Sequence, residues 1–123
     1  MDQRTQHTLT VTSQEKDGIT FVKMKGSLAS TTAAKAEEEL RKIVGGGATK
    51  IVVNLADLDY IASAGLRVFL LMSKAIGKTQ GGLMISESKG MVREVIETGI
   101  GYGFAPLIRL FPTDKEAIAA FKT

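Results

Sequence analysis

Lys50-Ile51-Val52-Val53-Asn54-Leu55-Ala56-Asp57-Leu58-Asp59-Tyr60-Ile61-Ala62-Ser63-Ala64-Gly65-Leu66 reads as a strand, a loop and the start of a helix. Lys50 to Leu55 holds the continuous β-branched run Ile51-Val52-Val53, which suits a central strand covered on both faces. The helix is expected over about Ala64 to Lys78, with Asp57 and Asp59 in the loop on either side of Leu58. A buried strand leading into an apolar helix is the repeating unit of an α/β sheet.

The chain on either side repeats that unit. Leu9 to Glu15 alternates weakly, Lys16-Asp17-Gly18 signals a turn, and Ile19 to Lys25 alternates well, so a hairpin is expected. Ser30 or Thr31 can cap a helix whose apolar positions are Ala33, Ala36, Leu40, Ile43 and Val44, ended by Gly45-Gly46-Gly47. Beyond the central unit, Gly81-Gly82 precedes a short strand from Leu83 to Ser86. A helix from Lys89 to Thr98 follows, closed by the glycine-rich stretch Gly99 to Gly103. Leu107 to Phe111 is the last strand, and Thr113, with Glu116 three residues on, caps a helix from Asp114 to Phe121. The order β-β-α-β-α-β-α-β-α predicts an α/β fold: one mixed, mostly parallel sheet of about five strands with about four helices. Residues 1–8 are expected to be a flexible polar segment and residues 9–123 a single domain.

Composition narrows the function classes. The chain has 123 residues, enough for one core, and lacks cysteine, which excludes disulfides and thiol chemistry. No apolar run approaches the ~20 residues of a membrane span, and Met1 to Thr8 is too polar for a signal peptide, so a cytoplasmic setting without membrane contact is expected. The net charge of +3 is spread along a chain with no tryptophan and no basic run, which argues against nucleic-acid binding. His7 is the sole histidine, in a polar segment without the companions that a metal site or a catalytic base needs. Gly99-Ile100-Gly101-Tyr102-Gly103 lacks the setting of a phosphate loop. Glu37-Glu38-Glu39 reads as a solvated helix face, and Asp57 and Asp59 as solvated or turn-forming acids. No cofactor is implied.

Ser63 admits two readings. Serine is a preferred N-cap, and capping alone explains it. The same position also suits a phosphate, because the free N–H groups and the dipole of a helix N-terminus favour an anion, and Arg67 lies one turn on. The helix after Ser63 is unusual too. Arg67, Lys74 and Lys78 share one narrow stripe, while Leu66, Val68, Phe69, Leu70, Leu71, Met72, Ala75 and Ile76 fill nearly all the rest. Such a helix is either wedged deeply among its neighbours or keeps an apolar edge for a partner.

The pattern Val52-Val53-Asn54-Leu55, Leu58 through Ile61 and Ser63-Ala64-Gly65-Leu66 resembles the STAS domains of bacterial anti-sigma-factor antagonists of the sporulation and general-stress type. Lys25-Gly26-Ser27-Leu28, Gly81-Gly82-Leu83, Glu97-Thr98-Gly99 and Glu116-Ala117 extend the likeness from about Leu9 to Phe121. The resemblance implies partner switching. The unmodified antagonist binds an anti-sigma factor with serine kinase activity, the kinase phosphorylates the serine and the complex separates, and a PP2C-type phosphatase resets it. By resemblance Ser63 is the phosphorylated serine. The partner surface is then expected at Ala29, Thr31, Thr32, Asp59, Tyr60, Ala62, Ser63, Ala64, Gly65, Leu66 and Arg67, on a monomer or weak dimer. Two departures stand out: Ala62 and Ala29 occupy positions where the family often carries aspartate. A scaffold or sensor subunit that is not phosphorylated, or a small enzyme, are the alternatives.

Overall fold

Strands β1 (Leu9–Lys16) and β2 (Ile19–Leu28) form an antiparallel hairpin closed by Asp17 and Gly18, in a computed structural model that describes residues 8–76, 81–99 and 108–121. Both turn residues have positive φ, 54° and 81°, the geometry a two-residue hairpin loop requires. Helix α1 (Ala33–Gly45) leads to β3 (Lys50–Ile61), α2 (Ser63–Ile76) to β4 (Gly82–Ser86), and α3 (Gly90–Gly99) to β5 (Arg109–Phe111). The chain closes with α4 (Asp114–Phe121). The sheet order is β1-β2-β3-β4-β5, with every pair after the hairpin parallel. The fold is therefore the expected α/β one, among the described residues a five-stranded mixed sheet with four helices. Among the described residues no helix is long and apolar enough to cross a membrane.

Alternation along the strands separates two apolar layers. Val22, Met24, Ile51, Val53, Leu83 and Ile85 face a core completed by Leu40 of α1, Phe69 and Met72 of α2, and Val92 and Ile96 of α3. This is the face on which right-handed crossovers between neighbouring parallel strands place their helices. Ile19, Val52 and Met84 point the other way, against Ala117 of α4 with Phe21, Phe111, Ile118 and Phe121 around them. The run Ile51-Val52-Val53 is wholly buried because it feeds both layers.

Strand β3 runs six residues beyond the expected end at Leu55. Its pairing with β2 slips twice: Lys23 and Lys25 oppose Asn54 and Asp57, and Gly26 and Ser27 oppose Leu58 and Tyr60. Each slip inserts one extra residue in β3, a β-bulge. The Asn54 side chain accepts a hydrogen bond from the Ala56 amide at 2.8 Å, holding the first of them. Leu55, Leu58 and Ile61 consequently all face the core at intervals of three residues. Asp57 and Asp59, expected in a loop, are exposed strand residues. The Lys23 ammonium, 3.0 Å from Asp57, donates to its carboxylate and holds it below its ordinary pKa, with Lys25 and Lys89 adding to the effect.

Helix α4 begins as its sequence suggests, the Glu116 amide donating to Thr113 Oγ1 at 3.2 Å. Asp114 then ties it to the sheet: its carboxylate accepts from Asn54 Nδ2 (3.1 and 3.2 Å) and from Ser86 Oγ, while its amide donates to Glu87 Oε2 at 3.0 Å. The acidic run on α1 lies at the surface, as expected, with Glu37 paired to Arg41 at 2.9 Å and Glu38 and Glu39 to Lys42. The polar segment 1–7, with His7, lies outside the described residues, as do Lys78, the stretch from Ile100 to Gly103 and Leu107.

The buried face of α2 carries a polar flaw. Ser73 is 8% exposed and its hydroxyl has no hydrogen-bond partner among the described residues. An unsatisfied buried hydroxyl costs about 1–3 kcal/mol of desolvation, which its removal recovers in part. Ser73→Ala is expected to raise the urea midpoint, equivalent to about 1 kcal/mol. An unchanged or lower midpoint would mean that the hydroxyl is satisfied in solution.

Candidate functional site

Three chain segments meet where β2 and β3 end. Leu28 and Ile61 are the last paired residues, and the Ala62 amide then donates to the Leu28 carbonyl at 2.9 Å. That bond sets the β2–α1 turn beside the first turn of α2. The turn is locked by Thr32, whose hydroxyl accepts from the Ala29 amide (2.8 Å) and donates to the Ser27 carbonyl (2.8 Å). Thr32, and not Ser30 or Thr31, is the residue before α1, yet its side chain makes no cap and is spent on the turn.

The start of α2 differs by one residue from expectation. The Ala62 carbonyl accepts from the Gly65 amide (2.9 Å) and the Leu66 amide (3.1 Å), so Ala62 is the N-cap and Ser63 the first helical residue. Ser63 is exposed. It still lies in the positive field of the helix terminus. The cap itself is a poor one, since alanine offers no acceptor. Ala62→Asp is expected to stabilise the fold by about 0.5–2 kcal/mol, read as a higher melting temperature that falls back as the carboxylate is protonated. No gain at neutral pH would contradict the cap assignment. Ala29 is different: it is 3% exposed, so an aspartate there must be desolvated.

Gly65 allows the close approach of α2 to β2. A Cβ on it would lie 2.5 Å from Leu28 Cγ and 2.9 Å from the Leu28 carbonyl oxygen. The residues expected at the partner surface thus fall into two sets. Thr31, Asp59, Tyr60, Ser63 and Arg67 are exposed, with Ala62 and Ala64 half-buried among them. Ala29, Thr32, Gly65 and Leu66 are buried and shape the site from beneath.

Both readings of the apolar α2 hold in part. Leu66, Val68, Phe69, Met72 and Ile76 are buried between the sheet and its neighbours, while Leu70 and Leu71 are half-buried. Ser63, Leu66, Arg67 and Leu70 form one wall of a groove of about 630 Å³, with Glu94, Val95, Thr98 and Gly99 of α3 as the other. The α3 wall was missed at the sequence level. Its signal was slight: Val95 sits beside the buried stripe of Val92, Ile96 and Gly99.

Known proteins share this architecture. A Bordetella bronchiseptica protein named as an anti-sigma factor antagonist, BtrV, is 39% identical over 113 residues, covering 92% of this chain and 95% of its own. The crystal structure of an anti-sigma factor antagonist from Mycobacterium paratuberculosis superposes with a TM-score of 0.79 at 23% identity, covering 94% of this chain and 96% of that one. SpoIIAA in its unphosphorylated form gives 0.73 at 18% identity, over 92% and 96% of the two chains. The STAS domain model matches residues 10–117, from the hairpin through both bulges and the groove to α4, and the chain belongs to the STAS domain family.

Proposed function

We propose that this protein is an anti-sigma-factor antagonist, a binding protein rather than an enzyme, working in the cytoplasm and switched by phosphorylation of Ser63. The observation that carries this reading is the placement of Ser63: an exposed hydroxyl on the first residue of α2, at the rim of an apolar groove and beside the β2–α1 turn. The name of the 39% identical relative supports the antagonist role, and SpoIIAA is known in both unphosphorylated and phosphorylated forms.

In this reading the unmodified surface around Ser63 sequesters an anti-sigma factor that is itself a serine kinase. ATP-dependent transfer to Ser63 places a dianion in that contact and releases the partner, and a PP2C-type phosphatase restores the hydroxyl. The buried residues Gly65 and Thr32 set the backbone, and the exposed ones meet the partner. Incubation with the kinase and ATP, followed by peptide mass spectrometry, is expected to find a single phosphate, on Ser63. Phosphate elsewhere with Ser63 unmodified would overturn the assignment. A second reading rests on Ala62 and Ala29, which supply no carboxylate where the family often has one. Tight partner binding with no phosphate on any residue is the signature of that constitutive scaffold.

A further inference from the structure

Arg67 follows Ser63 by one helical turn, and the two side chains line the same wall of the α2–α3 groove. Residues four apart on a helix have Cβ atoms about 5–6 Å apart, well within the reach of an arginine. Arg67 is exposed and forms no ion pair with another described residue, unlike Arg41 and Arg93, each held by a glutamate on its own helix. Glu94 faces it from α3, also without an ion pair among the described residues. Among the described residues, the groove thus presents the Arg67 cation on the serine's wall and the Glu94 carboxylate on the opposite wall.

We infer that Arg67 is the counter-ion of a phosphate on Ser63 and that Glu94 opposes it, so the phosphate is held along the α2 wall and away from α3. This rests on the reading of Ser63 as the modified residue and adds the groups that position the modification. A guanidinium offers paired N–H donors that match phosphate oxygens. A carboxylate across the groove disfavours the second negative charge. Arg67 is a positioning residue here, and its effect is separable from the helix terminus, which is the same in every variant at position 67.

The test needs no kinase. Phosphoserine is installed at position 63 by genetic encoding, and its second ionisation, near pH ~6, is followed by phosphorus NMR. Arg67→Gln is expected to raise that pKa by about 0.3–0.5 unit, Arg67→Lys to restore most of the shift, and Glu94→Gln to lower it by about 0.2 unit. Unphosphorylated Arg67→Gln should melt with the wild type, which excludes a folding defect. A phosphate that titrates alike in the wild type and Arg67→Gln would overturn the counter-ion assignment, and an unshifted Glu94→Gln would overturn the opposition of the two walls. Either failure leaves kinase modification of Ser63 untouched, just as absence of that modification would leave this titration standing.

Discussion

Gly65→Ala is expected to destabilise the protein by about 1–3 kcal/mol, and by the upper part of that range. The added methyl would meet three atoms of Leu28 below ordinary contact distance, one of them the carbonyl oxygen that accepts from Ala62. The side chain of Leu28 is wholly buried and has little room to turn away, and its carbonyl cannot move without loosening the bond that joins the β2–α1 turn to α2. Relief must therefore come from a shift of the first turn of α2, which carries Ser63. Urea unfolding should show the lower midpoint, and partner affinity should fall with it. Leu28→Ala alone opens a cavity worth about 2–5 kcal/mol. In the double variant the total should be smaller than the sum, because the methyl partly fills the space the leucine leaves. Additive losses would mean that the two residues do not touch in solution.

Much of this was legible in the sequence, for reasons that differ by element. The hairpin announced itself through Lys16-Asp17-Gly18, and the central strand through Ile51-Val52-Val53, because local turn chemistry and a two-sided core leave direct traces in residue type. The second half of β3 was hidden. Two bulges convert its period from two to three, so Leu58 and Ile61 keep facing the core while Asp57 and Asp59 make the segment look like a loop. The cap was misplaced by one residue for a related reason. Serine is the better capping residue, but the Ala62–Leu28 bond fixes where the helix begins. Thr32 shows the same override, its hydroxyl spent on the β2–α1 turn instead of α1. The excess apolar surface of α2 was visible at once, whereas the groove it forms depends on α3, and no local pattern states which helix will lie beside it.

The largest functional effect is expected from charge at Ser63. A phosphate brings about −1.5 to −2 charges and three strong acceptor oxygens. On the free protein it sits at a solvent-exposed helix start, where the N-terminal field favours it and little stability is lost. In a contact shaped for a hydroxyl the same charge must be desolvated, at a cost of several kcal/mol where no partner cation meets it. Since ~1.4 kcal/mol is a factor of ten, about 3 kcal/mol already amounts to a hundredfold release. Ser63→Glu carries a smaller charge and should loosen the complex at least ~10-fold on the same scale, with almost no change in melting temperature. Ser63→Ala should bind as the wild type does and resist release by ATP.

Calorimetric titration of the proposed serine-kinase partner with this protein, before and after stoichiometric phosphorylation of Ser63, tests the switch directly. Tight binding of the unmodified form is expected, with a loss of affinity on the order of a hundredfold for the phosphorylated form and the two forms melting together. Equal affinities for the two forms would contradict the switch.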